Sequence, residues 1–402
     1  MSSEIQPREN ASSPSTQSLE DELRASLQLP FDGQLFASFE RLPPPEEGHL
    51  AVWRRWAEEG RAEGIFAVLA RHLPQLRFPI RDGISKEAEY RAAVLQGSDP
   101  AAMASATGLP LEKPQAITLE LYPSVAGTIP LLIVRSRPEF VALVQALGKK
   151  NEPVPIPDSM GALMIAGYNN WHRVAELRQA FESQDPAERP AATWREAFAQ
   201  MKGRPELYQD RFILLSDGPY SAVPAAELGL EEGAWRAKSL LLRRDHECAH
   251  YATRRLFGSM RNHLHDELIA DYAGIVAAEG HFRADWFLRF VGLDGEQPRP
   301  GARALIYRCV PPLSDAAFAV FCRYVRQAAW HVETFDREHF GESGQDASGG
   351  LRPLADRLAG LVALVSLRLD EMAEASAVAR LKAAASAARP GIEARLQVVR
   401  DL

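Results

Sequence analysis

The sequence predicts an α+β fold in which a small mixed sheet lies between mostly helical N- and C-terminal parts. Apolar residues recur at helical spacing in the first part of the chain, as Trp53, Trp56 and Leu69 show. Short alternating or β-rich runs bounded by turn residues then occupy residues 116–216. Helical patterns return from residue 235 onward and continue through most of the remaining chain.

The composition is that of a soluble globular protein. Of 402 residues, 46% are hydrophobic and 25% are charged, and the formal net charge is −7. This negative balance gives no basic footprint for nucleic acid, and no run of about 18 apolar residues predicts a membrane span. Three cysteines cannot form a disulfide framework, and residues 1–19 contain no apolar core of a signal peptide. We therefore expect a cytoplasmic protein without nucleic-acid or membrane partners, and high Ala and Arg with few Lys favours a bacterial source.

The N-terminal part divides into two predicted regions. Residues 1–18 are rich in Ser, Glu and Asn and are expected to be a disordered N-terminus. Residues 19–115 are expected to form a mainly helical region, because large apolar side chains recur at helical spacing. The series consists of Trp53, Trp56, Ile65, Phe66, Leu69 and Leu73. We interpret it as core packing.

Four predicted strands follow, at residues 117–122, 128–134, 161–167 and 211–215. The first alternates apolar and polar side chains, and a turn of Pro, Ser and Gly separates it from the second, so the two form a predicted hairpin. The last is followed by a second turn at residues 216–219. The pattern does not indicate which strand lies at the edge of the sheet.

Residues 246–250 read His-Glu-Cys-Ala-His, two histidines four positions apart with a glutamate directly after the first. On an α-helix, positions i and i+4 share one face, so the rings of His246 and His250 can bind one ion. Neutral imidazole is a good zinc ligand, and Glu247 can act as general base toward a water activated by the metal. The surrounding residues 235–257 contain no Pro or Gly and end before a glycine, a natural helix stop. The motif therefore lies inside a predicted helix.

A second predicted helix, residues 262–280, supplies the remaining candidate ligands. Glu267 and Asp271 are also i and i+4, and Glu267 follows His250 by 17 positions, which allows one helix to end and another to return beside it. Glu267 is then the third zinc ligand, and Asp271 accepts the ring N–H of a ligand histidine and fixes its tautomer. Three further residues remain open as the third ligand: Asp266, His263 and His265.

This set of residues resembles the site of the gluzincins, the thermolysin-like and aminopeptidase-like zinc metallopeptidases. That group pairs H-E-x-x-H with a downstream E-x-x-x-D helix, and the matching positions are His246, Glu247, His250, Glu267 and Asp271. The likeness covers roughly residues 235–280. It implies a zincin-like catalytic domain, predicted over residues 116–340, in which an edge strand of the sheet holds an extended peptide by main-chain hydrogen bonds.

The predicted mechanism has three protein ligands and leaves a fourth position of the zinc for water. Glu247 takes the proton of that water and later passes it to the leaving amine. The negative charge that develops on the carbonyl oxygen needs a further donor. Four residues are candidates: His331, Tyr307, Arg308 and Tyr272. His331 is preferred, because it lies in a helix C-terminal to the glutamate helix, as the corresponding donor does in thermolysin-like enzymes.

The C-terminal part is predicted to be helical on both sides of a linker. Residues 315–335 carry apolar side chains typical of a helix, and residues 341–350, rich in Gly and Ser, are expected to be a flexible linker or loop. Residues 351–402 form a predicted helical C-terminal region, of which residues 351–388 correspond to one or two amphipathic helices. We interpret this Ala-rich tail as a packing element or a homo-oligomer interface rather than a DNA-binding element.

Two classes of function follow. The first is a zinc-dependent metallopeptidase or related amide hydrolase that acts on a peptide or amide substrate. The second is a zincin-fold protein without general proteolytic activity, either a biosynthetic tailoring enzyme or a regulatory metal-binding protein. Glu247 favours catalysis, because a purely structural metal site needs no base. The missing export signal counts against a secreted digestive protease.

Overall fold

A computed structural model describes residues 16–191, 193–260, 263–308, 312–341 and 351–397. It confirms the α+β class with a small mixed sheet. The helices are α1 (Thr16–Leu23), α2 (Gly33–Ser38), α3 (Leu50–Glu63), α4 (Ile65–His72), α5 (Ala88–Gln96), α6 (Arg137–Gly148), α7 (Trp171–Ser183), α8 (Trp194–Met201), α9 (Glu232–Phe257), α10 (Leu264–Glu279), α11 (Ala284–Val291), α12 (Asp315–Phe340), α13 (Leu354–Val365), α14 (Leu369–Met372) and α15 (Ala377–Gln397). The strands are β1 (Ile117–Ser124), β2 (Gly127–Val134), β3 (Ala162–Asn169) and β4 (Gln209–Ser216).

The four strands form one sheet in the order β1-β2-β4-β3. β1 and β2 are the predicted hairpin, paired antiparallel from Ile117↔Val134 to Ser124↔Gly127. β4 runs parallel to β2 and antiparallel to β3. β3 is therefore an edge strand, which the sequence pattern left open.

Helices cover both faces of the sheet because β4 is apolar on both sides. Phe212 and Leu214 belong to a core cluster that contains α3, α4 and α6, whereas Ile213 and Leu215 belong to a second cluster that contains α9. Successive side chains of a strand point to opposite faces, so this alternation places the sheet between two helical layers. Helices α3, α4 and α6 thus lie on one face of the sheet, and α9, the helix with the predicted metal motif, lies on the other.

Helices α9 and α10 cross at close range. Their C-terminal ends are Gly258 and Gly280, both in the left-handed conformation with φ of 72° and 81°. A Cβ atom on Gly274 of α10 would lie 2.5 Å from the Leu242 carbonyl oxygen of α9. Glycine therefore allows the two backbones to approach here, and this approach brings the carboxylates of α10 beside the histidines of α9.

The C-terminal helices belong to the same core as α9 and α10. The predicted helix at residues 315–335 is α12, and α13, α14 and α15 stand where one or two helices were predicted. Three side chains of α15 are fully buried in this core, namely Leu381, Ala385 and Ile392. This placement accounts for the Ala-rich tail as a packing element, and its use between copies of the chain stays a prediction.

Two predicted segments fall largely outside the described residues. α1 begins at Thr16, within the predicted disordered stretch, of which residues 1–15 are not described. The predicted linker is described only at Gly341. Among the helices that are described, none combines the length and the apolar character needed to cross a membrane.

Candidate metal centre

Three buried side chains of α9 and α10 bring possible ligand atoms together: His246, His250 and Glu267. The two histidine Nε2 atoms lie 3.2 Å apart, and each lies 3.7 Å from an oxygen of Glu267. A zinc ion with bonds of roughly 2.0–2.1 Å at tetrahedral angles sets its ligand atoms about 3.3 Å apart. The three residues therefore fit a tetrahedral metal and leave a fourth position for another ligand.

The opposite nitrogen of each ring contacts a buried carboxylate. Nδ1 of His246 lies 2.8 Å from Oδ1 of Asp271, and Nδ1 of His250 lies 3.0 Å from Oδ2 of Asp266. A carboxylate accepts hydrogen bonds, so each Nδ1 carries the donated proton, and a ring in its neutral form keeps its lone pair at Nε2. In that form, two lone pairs and a carboxylate face one another, an arrangement that favours a cation between them.

The electrostatics of the cluster favour that cation. Burial lowers the pKa of His250, but the carboxylates of Asp266 and Glu267 outweigh burial and raise the pKa to about 10. Burial alone would raise the pKa of Asp271, yet Arg303 and His246 hold it well below its usual range. The carboxylates of Glu267 and Asp271, whose pKa values are both lowered, are thus charged at neutral pH, and their field attracts either a proton or a metal ion.

The other residues considered for the third ligand have different contacts. Asp266 lies on the Nδ1 side of His250, away from the converging Nε2 atoms. Nε2 of His265 lies 3.2 Å from the Leu364 carbonyl oxygen, and Nδ1 of His263 accepts a hydrogen bond from the backbone of Asp266 at the start of α10. Glu267 is the carboxylate that the structure brings to both Nε2 atoms.

Two residues extend the network beyond the predicted set. The hydroxyl of Tyr220 donates to Oδ1 of Asp271 at 2.5 Å and lies 2.8 Å from Nδ1 of His246. Nη2 of Arg303 donates to Oδ2 of Asp271, and its Nη1 lies 3.4 Å from Oε2 of Glu267. Arg303 and Tyr220 thus fix the carboxylates that orient and complete the ligand set.

The sequence contained a signal for only one of these two residues. Tyr220 directly follows the predicted turn at residues 216–219, whose position after a strand and before the metal helix places it near the site. Arg303 lies 32 positions after Asp271 and belongs to no motif. Its contact depends on the path of the chain between α11 and α12.

Glu247 lies next to this cluster, in the wall of a cavity of about 660 Å³. It is half-buried, and no hydrogen bond to its carboxylate is found within the described part of the chain. The wall also includes residues 161–164 at the start of β3, residues 220–224 and residues 299–303. Glu247 can therefore exchange a proton with a molecule in the cavity.

The candidates for the oxyanion donor lie elsewhere, as far as their side chains are described. Nδ1 of His331 lies 2.8 Å from the Met372 carbonyl oxygen, and Nε2 lies 2.9 Å from the Gln327 amide nitrogen. Tyr272 donates to Asp336, and Arg308 to Asp315. None of these three belongs to the described cavity wall. The side chain of Tyr307 falls outside the described residues.

Comparison with known proteins identifies a family without assigning an activity. No curated protein matches the chain, and no solved structure matches it. A match to a family of unknown function, DUF7005, extends over residues 11–376 and so covers most of the sequence. The chain therefore belongs to the DUF7005 family.

Proposed function

We propose that the chain is a zinc-dependent metallopeptidase or a related amide hydrolase of the gluzincin type. The observation that carries this proposal is the convergence of His246 Nε2, His250 Nε2 and the Glu267 carboxylate beside a cavity that also contains Glu247. A structural zinc site is usually closed by four protein ligands. Three ligands and an adjacent half-buried carboxylate are instead typical of a catalytic site.

The surrounding fold supports a zincin-like core. β3 is an edge strand, and residues 161–164 at its start line the cavity beside α9. The outer edge of such a strand can pair with an extended peptide through main-chain hydrogen bonds. A peptide bound there would lie along the wall that contains Glu247.

Each side chain of the site has a separate role in the proposed reaction. When bound, zinc polarises the substrate carbonyl and makes a water nucleophilic near neutral pH. Glu247 accepts a proton from the attacking water and delivers it to the nitrogen of the leaving amine. Arg303 lies in the cavity wall with a positive charge 3.4 Å from Glu267, and it would stabilise the negative charge that develops on the carbonyl oxygen. Asp271 and Asp266 hold the two histidine rings in the Nδ1–H tautomer.

The size of the cavity favours small substrates. A volume of about 660 Å³ lies within the range of roughly 300–1,000 Å³ typical of small-molecule sites. It suits a few residues of an extended peptide or one small amide. A biosynthetic tailoring enzyme that uses the same hydrolytic chemistry is therefore the second candidate function.

Glu247→Gln tests the hydrolytic proposal. The zinc-loaded variant should lose roughly 10²–10⁴-fold in rate on a peptide and amide library, because proton transfer is lost. Its zinc content and thermal midpoint should stay unchanged, since Glu247 is not one of the converging ligands. Glu232→Gln, an exposed position at the start of the same helix, is the matched control and should keep full activity.

Two outcomes would contradict the proposal. A Glu247→Gln variant that hydrolyses substrate at the parental rate would show that Glu247 is not the base. A zinc-loaded parent protein that cleaves no member of the library would favour a regulatory metal-binding role instead.

A further inference from the structure

The turn Tyr220–Ala222 has an unusual backbone. Ser221 has φ of 50° and ψ of 23°, and Ala222 has φ of 57°. Left-handed conformations are costly for residues with a Cβ atom, and two in succession are rare. Both residues line the cavity that contains Glu247.

Hydrogen bonds on both sides hold the turn in this conformation. Nη2 of Arg243 donates to the carbonyl oxygens of Gly218 and Pro219, each at 3.1 Å. The Tyr220 backbone N–H donates to the Ser239 hydroxyl at 3.0 Å. Beyond the turn, Nε1 of Trp235 donates to the Val223 carbonyl oxygen at 2.8 Å.

The side chain of Tyr220 adds a direct link to the metal cluster. Its hydroxyl is bound to Asp271, which also contacts the His246 ring. The position of Ser221 is therefore tied, through Tyr220, to the carboxylate that orients a candidate metal ligand. Strained conformations that the surroundings impose in this way are concentrated at functional sites.

A second left-handed turn serves as a contrast. Lys150 and Asn151 have φ of 57° and 60°, but Asn151 is fully buried and its side chain is satisfied by the protein. Its Nδ2 donates to the Gln75 and Phe78 carbonyl oxygens at 2.9 and 3.0 Å, and its Oδ1 accepts from Tyr90. That turn has a structural explanation within the chain.

The side chain of Ser221 differs from that of Asn151. The Ser221 hydroxyl and backbone N–H have no hydrogen-bond partner within the described part of the chain, although the residue is half-buried in the cavity wall. The few polar groups in the wall of a ligand pocket, serine hydroxyls among them, typically fix the orientation of the bound molecule.

We infer that Ser221 is a substrate-binding residue whose hydroxyl donates a hydrogen bond to a carbonyl oxygen of an extended peptide or amide. The inference rests on the proposed hydrolytic function and adds a specificity contact to it. A neutral hydroxyl suits a neutral backbone carbonyl better than a carboxylate, which would require a charged partner. Together with the edge of β3, this contact selects substrates that extend beyond the group at the metal.

Two inhibitors of different length separate this contact from metal binding. Acetohydroxamate offers only a metal-binding group, whereas a phosphinic tripeptide also places backbone carbonyls along the cavity. Ser221→Ala removes the hydroxyl, and Kd for the tripeptide should rise about tenfold in the zinc-loaded protein, as expected for one lost hydrogen bond. Kd for acetohydroxamate should change less than about twofold.

Two glycine variants control for the backbone. Ser221→Gly also lacks the hydroxyl but relieves the strain of the left-handed conformation. It should raise Kd for the tripeptide about as much as Ser221→Ala does, and it should also raise the thermal midpoint. Ala222→Gly relieves the neighbouring residue and keeps the hydroxyl, so it should raise the thermal midpoint while Kd for the tripeptide rises less than in Ser221→Gly.

Tripeptide affinity that stays at the parental value in Ser221→Ala and Ser221→Gly would overturn the assignment of Ser221. An equal loss of affinity for the tripeptide and for acetohydroxamate in Ser221→Ala would also overturn the assignment, because the substitution would then act on the metal site. If acetohydroxamate fails to bind the zinc-loaded parent protein, the proposed function falls, and the Ser221 assignment falls with it.

Discussion

Two buried polar clusters of this protein differ in how their acceptors are satisfied. In the first cluster, Asp210 of β4 accepts hydrogen bonds from Arg173 at 2.7 Å, from Trp53 at 2.8 Å and from Asn170 at 2.6 Å. Every contact to the carboxylate comes from a donor. This closed cluster of Asp210, Arg173, Trp53 and Asn170 has all its hydrogen-bond partners within the chain. It connects α3 and α7 to the sheet.

In the second cluster, the open cluster of His246, His250 and Glu267, possible metal-ligand atoms face one another. The Nε2 atoms of His246 and His250 converge with the carboxylate of Glu267, while their Nδ1 atoms are held by Asp271 and Asp266. Burial of charge alone therefore does not identify a binding site. The convergence of three possible ligand atoms from two helices is what marks the second cluster as a candidate metal site.

The largest expected effect is on the closed cluster. Asp210→Ala leaves the Arg173 guanidinium buried without its carboxylate, which should lower the free energy of unfolding by about 3–5 kcal/mol. Denaturant titration of the zinc-free protein measures this loss. Glu267→Ala is the matched variant of the open cluster, and it should abolish most zinc binding with a smaller loss of stability in the zinc-free protein.

An Asp210→Ala variant as stable as the parent would show that the closed cluster is not structural. A Glu267→Ala variant that retains parental zinc affinity would show that the second helix does not complete the site.

Effects of intermediate size are expected at the carboxylates behind the histidines. Asp271→Ala and Asp266→Ala should each weaken zinc affinity by about 10–100-fold, because each frees one imidazole to rotate. Competition with a chromophoric chelator ranks the two variants against the parent. Asp185→Ala, at an exposed position, is the control and should leave zinc affinity unchanged.

If Asp271→Ala and Asp266→Ala both bind zinc as tightly as the parent, the two carboxylates do not orient the ligands. The distinction between the two clusters would then rest on Glu267 alone.

The smallest effect is a proton released on zinc uptake. The carboxylates of Asp266 and Glu267 overcome the lowering effect of burial and raise the pKa of His250 to about 10, so at pH 8 the zinc-free ring is charged. Zinc must displace that proton from between two Nε2 atoms 3.2 Å apart. About one proton per chain should be released at pH 8, and fewer as the pH rises through 10.

Calorimetric titration of zinc in buffers of different ionisation enthalpy counts these protons. Binding enthalpies that are independent of the buffer at pH 8 would show that the ring is neutral before zinc binds.

The candidate ligands and the strands could be predicted from sequence because they depend on local periodicity. A helical period of 3.6 residues places His246 beside His250 and Glu267 beside Asp271, and alternation marks the strands. Their relative placement depends on contacts distant in sequence. The close approach of α9 and α10 requires Gly274, and β3 becomes an edge strand because β4 inserts between it and β2.

Of the remaining parts of the site, Tyr220 had a local signal, its place directly after a predicted turn, and Arg303 had none. Arg303 reaches Asp271 from a 3-10 helix between α11 and α12, and Tyr220 reaches it through a strained turn. His331 was preferred as a donor from its position in the chain alone, but α12 carries it to the Met372 carbonyl oxygen, away from the described cavity wall. Helix order does not determine which face of a helix meets the site.

The metal content of the protein tests the central claim most directly. Purified protein is dialysed against zinc and then against zinc-free buffer, and elemental analysis gives the ions retained per chain. We expect about one zinc per chain in the parent and none in a His246→Ala, His250→Ala double variant. Parent protein that retains no zinc, or a double variant that retains as much as the parent, would contradict the claim that these converging side chains form a metal site.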